Sequence, residues 1–511
     1  MMRFKYFEEL ENMRGFKLSV KESWRLWFLS ISEDKIKNRE YHYLMSIIFK
    51  RPLKWVAWEC YQHNVFKRSQ YWDDLEIKRY RFKRLYNLLN YAYAKVPYYN
   101  NLFRKSGFDP GRDFNSLSDL RNIPPLTRED VINYREQLIS NDFLKYKDSF
   151  RAQKYYTSGT TGKPLILYSD LKRILIWTII SKRRLEWMGI SPIARTAQLW
   201  SVPFSGTDHN ASMDGKLFYN YDEDAKNGWW SKNNYKPHKS IACFIPDSNI
   251  MYVSTMPLNG RCRLEQLSIL SKFKPVSITG NPSLLLEFAC LANENKIHRL
   301  KFRVFISKYE TLWPHQRKII KDTFGCLIYS AYSNREGTVN AFGCEYGNYH
   351  EEKESCIMEV ADERGNELFC GERGKILGTD LFNYAMPFIR YESGDIGVRH
   401  NSRCRCNRGS DFLILEGRAA EKLFFKDKII YPSTLSVILR DIQGIKECQF
   451  KQKDSETIEA YIVRRNLQDN VLDERIAEKF KERIDPALKL VIKYVHKLNI
   501  TNGGKFKLID F

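Results

Sequence analysis

The order of apolar and polar positions divides the chain into three stretches. Through residues 1–150 the pattern is helical. Leu85, Leu88, Leu89 and Ala92 fall on one face at i, i+3, i+4 and i+7, and the run stops near Val96-Pro97, where proline removes a backbone donor and restrains the residue before it. This part reads as a helical scaffold. Over residues 151–416, short β-rich runs (Leu165–Tyr168, Ala197–Trp200, Val276–Thr279, Arg303–Ser307, Leu327–Ser330) alternate with helical ones (Lys172–Trp187, Pro282–Glu294, Pro314–Phe324). That alternation predicts an α/β core. A glycine-rich, charged hairpin region runs from Glu359 to Arg399, with Asp362-Glu363-Arg364-Gly365-Asn366 as a turn between strands. Over 417–511 the pattern restarts on a smaller scale, with helices near Ser433–Arg440 and Val471–Arg483 and strands near Lys446–Lys451, Thr457–Arg464 and Val491–Leu498. The expected fold class is α/β: a large N-terminal domain with a helical N-terminal extension, followed by a small α+β C-terminal domain.

Composition narrows the class. A chain of 511 residues exceeds the size at which single cores stop growing, roughly 250–300 residues, so more than one unit is expected. With 43% hydrophobic residues and no long low-complexity tract, it is an ordered globular protein. The opening MMRFKYFEELENMRGF lacks the apolar core of a signal peptide, and runs such as Ile174 to Ile180 are too short to span a bilayer. A cytoplasmic location is expected. Eleven cysteines, an odd number in a large non-secreted chain, point to reduced thiols or a metal site rather than a disulfide framework. The net charge of +22 comes from basic residues spread along the chain, as in Lys78 to Arg84 and Lys479 to Arg483, which reads as solvated helix faces. No nucleic-acid-binding signature is present; peripheral association with the inner membrane face stays open on charge grounds.

The run Tyr156-Thr157-Ser158-Gly159-Thr160-Thr161-Gly162-Lys163-Pro164 carries the candidate chemistry. Hydroxyls of Thr157, Ser158, Thr160 and Thr161 can donate to phosphate oxygens, Gly159 and Gly162 let backbone N–H groups approach, and Lys163 adds positive charge. The apolar run that follows predicts a strand after the loop. A Walker loop has different glycine spacing and opens a helix, so this is another kind of phosphate cradle.

Four motifs follow in order: Tyr332-Ser333-Asn334-Arg335-Glu336, Arg390-Tyr391-Glu392-Ser393-Gly394-Asp395, Gly417-Arg418, and Gly503-Gly504-Lys505. Taken with the loop, they resemble the adenylate-forming superfamily. Further stretches (Ala94 to Tyr99, Ser116 to Arg128, Gly280 to Ser283, Ala385 to Tyr391) are similar to the phenylacetate-CoA ligase family and its CapK-like branch, associated with capsular polysaccharide synthesis. The likeness runs from about residue 70 to the end.

The resemblance implies an ATP-dependent, AMP-forming ligase that activates a carboxylic acid as an acyl-adenylate and passes it to CoA or to another acceptor. It implies a magnesium ion bound with help from Glu336, and β- and γ-phosphates held by Ser158 to Lys163. Tyr332 would stack on adenine, Asp395 would accept from the ribose hydroxyls with help from Arg418, and Lys505 would bridge carboxylate, ribose and α-phosphate. Lys505, Glu336 and Thr161 are the catalytic residues so implied. The C-terminal domain would be mobile, rotating between half-reactions. This chain departs from relatives at the hinge, with Ala419-Ala420-Glu421 where acidic residues are usual, and at Lys308-Tyr309-Glu310, where small residues commonly precede the glutamate.

Cys344, His350, Cys404 and Cys406 have the ligand types for a tetrahedral zinc, but their spacing matches no common finger, and spacing alone favours isolated reduced thiols. The resemblance adds that some relatives hold structural zinc at similar elements. Other readings remain open: an acyltransferase to a sugar amine or hydroxyl without CoA, an inactive nucleotide-binding relative, and a basic surface binder. No residue identifies the acid, and oligomeric state is not legible.

Overall fold

The computed structural model describes residues 53–144, 152–156, 165–191, 194–200, 241–245, 249–255, 260–408, 411–426, 428–440, 442, 444–464, 471–496, 498 and 507–510. Helices α1 (Leu53–Ser69), α2 (Asp74–Lys95) and α3 (Pro97–Ser106) open it. Asp73 starts α2 by a reciprocal cap, its carboxylate accepting from the Glu76 N–H at 2.8 Å while the Glu76 carboxylate accepts from the Asp73 N–H. Val96 ends it and Pro97 opens the next helix, as the apolar pattern anticipates. The helices do not stand alone. Leu85, Leu88, Leu89 and Ala92 share one core with Leu167, Tyr168, Ile176, Ile179, Phe388 and Ile389, so the N-terminal scaffold is built into the wall behind the phosphate-loop motif.

Strands β1 (Ala152–Tyr156) and β2 (Ile166–Asp170) form an antiparallel hairpin, and β2 runs directly into α4 (Leu171–Trp187). The next strands are β3 (Thr196–Trp200), β4 (Ala242–Ile245), β5 (Ile250–Ser254), β6 (Ser277–Gly280), β7 (Val304–Ser307) and β8 (Leu327–Ser333), with helices α5 (Gly260–Phe273), α6 (Pro282–Glu294) and α7 (Pro314–Phe324) interleaved. Then come β9 (Asn340–Gly343), β10 (Tyr349–Glu351), β11 (Cys356–Ala361), β12 (Arg373–Asp380), β13 (Tyr391–His400) and β14 (Phe412–Arg418). From β3 to β14 they make one sheet, in the order β11-β12-β13-β14-β10-β9-β8-β7-β6-β3-β5-β4.

Its two halves differ. Strands β5, β3, β6, β7 and β8 are parallel neighbours, while β8 pairs antiparallel with β9 and the remainder is antiparallel. Strand β8 is therefore the seam between the parallel and antiparallel halves, while the strand order reverses between β3 and β6, the kind of switch point beside which open α/β sheets bind ligands. The region Glu359–Arg399, read from sequence as hairpins, supplies three strands of this same sheet.

The remaining strands are β15 (Leu423–Phe425), β16 (Lys428–Ile430), β17 (Ile445–Gln452), β18 (Thr457–Arg464) and β19 (Lys489–Tyr494), with helices α8 (Pro432–Arg440) and α9 (Leu472–Arg483). They pack around their own core, which includes Leu423, Leu435, Phe450, Ile462 and Phe480. Trp313, from the turn before α7, enters that core. Near its end the chain returns to β17, where Ile509 bridges Phe450. Among the described residues no helix is long and apolar enough to cross a membrane.

One buried ion cluster ties the antiparallel half to the N-terminal helices. Arg390, with φ of 52°, bonds the Glu359 carboxylate at 3.1 Å and the carbonyls of Arg121, Ile123 and Gly365 at 3.2, 2.5 and 2.6 Å. Removing the guanidinium would strand a buried carboxylate. Arg390→Met should lower unfolding stability by about 3–5 kcal/mol, read as a fall in the urea midpoint. Glu359→Gln, which keeps an acceptor in place, should cost less.

Candidate functional site

The hairpin β1–β2 holds the phosphate-loop motif between its paired ends, Tyr156 and Ile166. Thr157, Ser158, Gly159, Thr160, Thr161, Gly162 and Lys163 themselves lie outside the described residues, but the anchoring of the hairpin is plain. Leu165, Leu167 and Tyr168 are buried. At the end of β2 the Asp170 carboxylate caps α4 through the Arg173 N–H at 2.9 Å and accepts from the Tyr384 N–H at 2.9 Å.

Arg173 carries this anchoring across to the seam strand. Its guanidinium pairs with Asp380 at 2.6 Å, bonds the Ser169 hydroxyl at 3.0 Å and donates to the Arg335 carbonyl at 3.1 Å. Arg335 belongs to the turn after β8. Asn334 shapes that turn by accepting from the Thr338 and Val339 N–H groups at 3.0 and 3.3 Å, and Gly337 closes it with φ of 79°. A Cβ at Gly337 would stand 1.8 Å from an Arg173 nitrogen, so glycine is required both for conformation and for room.

Glu336 sits on this turn. It lines a small cleft with Leu167, Tyr168, Asn383, Met386 and Phe388, which places it at the foot of the hairpin carrying the phosphate loop. Its carboxylate is 3.5 Å from the Tyr391 hydroxyl. Burial raises its pKa, opposed by the charges of Arg418, Arg128 and Arg173.

Asp395 and Arg418 face each other across β13 and β14 as register partners. The Arg418 Nε lies 3.2 Å from Asp395 Oδ1, and the Tyr332 hydroxyl donates to Asp395 Oδ2 at 2.7 Å. Burial raises the Asp395 pKa and the Arg418 charge works against it. Tyr332, at the end of β8, is thereby held by its hydroxyl, with the Tyr349 ring edge-on at 6.4 Å. Lys505 lies outside the described residues. Two positions later, Lys507 stands 3.8 Å from Glu421, whose carboxylate also feels Arg418 and Asp395. The chain terminus thus reaches the edge of the Asp395 cluster.

The cysteine and histidine candidates also converge. Cys344, His350, Cys404 and Cys406 place one ligand atom each within 4.8 Å of all the others. Cys344 Sγ and Cys404 Sγ are 3.7 Å apart, and two thiolates on one tetrahedral zinc at about 2.3 Å each would stand about 3.8 Å apart. His350 Nε2 lies 3.1 Å from Cys406 Sγ. Burial pushes the His350 pKa below its ordinary value, favouring the neutral, ligand-competent imidazole. The four residues fit a zinc ion.

Sequence reasoning missed Arg173 and Asp380. Neither belongs to a motif, and their partners are 162 and 207 residues away along the chain, respectively Arg335 and Arg173 itself. At the other departure from the family pattern, Tyr309 adopts φ of 74°, and its hydroxyl lies in electrostatic reach of Arg335 and Tyr252. Glu310 accepts from the Asn281 amide and the Ser283 N–H, both at 3.4 Å.

Known proteins resemble this chain in sequence and in fold. Residues 425–510 match the family model of the CapK C-terminal domain. The phenylacetate-coenzyme A ligase of Thermus thermophilus is 22% identical over 468 residues, covering 85% of this chain and 96% of that protein. The chain thus resembles phenylacetate-CoA ligases over most of its length and the CapK C-terminal domain near its end. The phenylacetate-coenzyme A ligase of Escherichia coli is 24% identical, covering 70% of this chain and 75% of that one. A solved 2-hydroxyisobutyryl-CoA ligase in its postadenylation state shares the fold with a TM-score of 0.66, at 17% identity over 87% of this chain and 91% of that one.

Because Arg173 fills the space beneath Gly337, the variant Gly337→Ala should force the Glu336 turn off its support. A loss of about 1–3 kcal/mol in stability is expected, measured by thermal or urea unfolding.

Proposed function

We propose that this ligase joins a small carboxylic acid to AMP and then transfers the acyl group to CoA. The observation that carries the reading is the convergence at the seam strand: Glu336 at the foot of the phosphate-loop hairpin, and Asp395 with Tyr332 and Arg418 beside it. In the first step a carboxylate oxygen attacks the α-phosphorus of ATP. The bond to the bridging oxygen breaks, and pyrophosphate leaves with the electron pair.

Each residue's part follows from its chemistry. Thr157 to Lys163 would grip the β- and γ-phosphates through hydroxyls, backbone N–H groups and one ammonium, donors aimed at charge that grows in the transition state. Asp395, oriented by Tyr332 and Arg418, has acceptor capacity for the ribose hydroxyls. Tyr332, with its ring held through that bond, presents a face to adenine. Glu336 has the hard oxygen ligands that suit magnesium, which when bound neutralises phosphate charge. Lys505 on the terminal segment would reach the carboxylate and the α-phosphate. The pair Glu421–Lys507 supports this placement. Residues 417–511 are proposed to move as a unit between adenylation and transfer, with Glu421 as the hinge's acidic residue in place of those missing at Ala419 and Ala420.

In the second step the CoA thiol attacks the acyl carbon and AMP departs. Transfer to an amine or hydroxyl of a sugar is the second reading, favoured by the match to the CapK C-terminal domain, and it would link the reaction to polysaccharide assembly. Such chemistry would take place in the cytoplasm, where ATP and reduced thiols coexist. A zinc ion held by Cys344, His350, Cys404 and Cys406 would pin β10 and the turn after β9 to the loop between β13 and β14. With four protein ligands it would have no open position for catalysis.

The decisive assay is carboxylate-dependent exchange between ATP and labelled pyrophosphate. Lys505→Ala should reduce exchange on the order of 100-fold or more, by analogy with the loss of a transition-state donor; equality with wild type would sink the reading. Adding CoA to the activated acid should yield a thioester, and its absence alongside sugar acylation would select the second acceptor. Elemental analysis should find about one zinc per chain, and Cys404→Ser should remove it and lower the melting temperature.

A further inference from the structure

Three buried polar side chains at the carboxyl ends of neighbouring parallel strands lack a hydrogen-bonding partner. Thr255 Oγ1, Asn281 Oδ1 and Ser307 Oγ are all unpartnered, and their residues are only 4%, 5% and 2% exposed. Buried polar groups are rarely left so. Thr255 directly follows β5, Asn281 directly follows β6, and Ser307 ends β7.

The sheet sets these three in one row. Strand order β7-β6-β3-β5 and the pairings Gly280↔Ser307 and Trp200↔Ser254 put all three within about one residue of a common level. Strand spacing of about 4.8 Å then makes the row roughly 14 Å long. Two residues before Thr255 and Ser307 lie Val253 and Phe305, both in the apolar core beneath α5, α6 and α7. By the alternation of a strand, the two hydroxyls continue that face to the place where the apolar core ends. Asn281 is the N-cap residue of α6 but makes no capping bond. Its amide nitrogen is turned to Glu310 at 3.4 Å instead, which leaves the carbonyl oxygen free. Ser330, next along on β8, shows that orphaning is not general here, since it bonds the Tyr349 hydroxyl.

The row also borders the reaction site. Ser307 is the register partner of Ser330 on β8, two residues before Tyr332 on the same strand, and the Asn281 amide donates to Glu310 in the segment that follows β7. An apolar acid lying along this row would bury three polar groups without compensation, whereas an acid bearing its own donors and acceptors would satisfy them.

We propose that Thr255, Asn281 and Ser307 line the acid's pocket, and that the acid carries a hydroxyl or amide group beyond its reacting carboxylate. This rests on the ligase reading and adds the substrate's chemical class. A site built to hydrogen-bond a substrate hydroxyl rejects the analogue lacking it far more strongly than an apolar pocket rejects an extra methylene.

The test uses the full chain and pyrophosphate exchange with matched acids that differ by hydroxyl for methyl, such as 3-hydroxybutanoate and 3-methylbutanoate, together with N-acylated amino acids and phenylacetate. Wild type should favour the polar partner of a pair by roughly 10-fold or more in kcat/KM. Ser307→Ala and Thr255→Val should erase most of that preference by raising KM for the acid while KM for ATP holds. Exchange with phenylacetate or alkanoates, and no advantage for any polar partner, overturns this inference and leaves the ligase reading intact. A rise in KM for ATP alone assigns the row to the nucleotide and also overturns it. Absence of exchange with every acid overturns both. The wild-type preference within pairs needs no variant, so a misfolded substitution does not spare the proposal.

Discussion

The buried guanidinium of Arg173 is the constraint on which the site depends. It joins the start of α4, the Arg335 carbonyl on the Glu336 turn and the Asp380 carboxylate at the end of β12, three segments far apart in sequence. Burying such a charge costs several kcal/mol before its partners return anything. The return is geometric. With Arg173 in place, the β1–β2 hairpin and the turn that carries Glu336 cannot shift independently. In enzyme sites a misplacement of about 1 Å can cost roughly 100-fold in rate, and a rigid charged clamp holds position where two flexible turns would not.

Around this clamp the seam strand β8 divides the labour. On its parallel side, the strand ends set Thr255, Asn281 and Ser307 in a row, each with a buried unpartnered polar atom. On its antiparallel side, long strands β13 and β14 hold Asp395 against Arg418 with Tyr332 closing the triangle. A purely parallel sheet would offer the row of strand ends without the paired strands, and a purely antiparallel one the reverse. The small C-terminal core meets both through Trp313 and the Glu421–Lys507 pair. That ion pair is half-buried and long, at 3.8 Å, a weak tie that the proposed movement of the unit would break at little cost.

Local signals proved readable where local physics decides. Helices Pro282–Glu294 and Pro314–Phe324 appear with the bounds that the apolar pattern predicts, because proline at the first helical position marks the start of each, and Gly325, with φ of 68°, ends the second. The last strand spans Lys489–Tyr494 rather than the Val491–Leu498 that the apolar pattern predicts, since its register comes from parallel pairing with β18 rather than from its own residues. The motif residues Tyr332, Glu336, Asp395 and Arg418 were named from order along the chain. Arg173, Asp380, Thr255 and Ser307 carry no such mark.

By itself the sequence determined the types of group available: hydroxyls, glycines and a lysine in one loop, carboxylates and a guanidinium in ordered motifs, three thiols and an imidazole, and an α/β alternation. Covalent order and hydrophobic period suffice for those. Only the tertiary structure decided that Glu359–Arg399 extends the same sheet as β3 to β8, that four metal-type ligands 62 residues apart end to end meet within 4.8 Å, and that three polar side chains stand unpartnered in one row. Strand pairing and burial depend on which distant segments share an edge or a core, and no short stretch of chain contains that information.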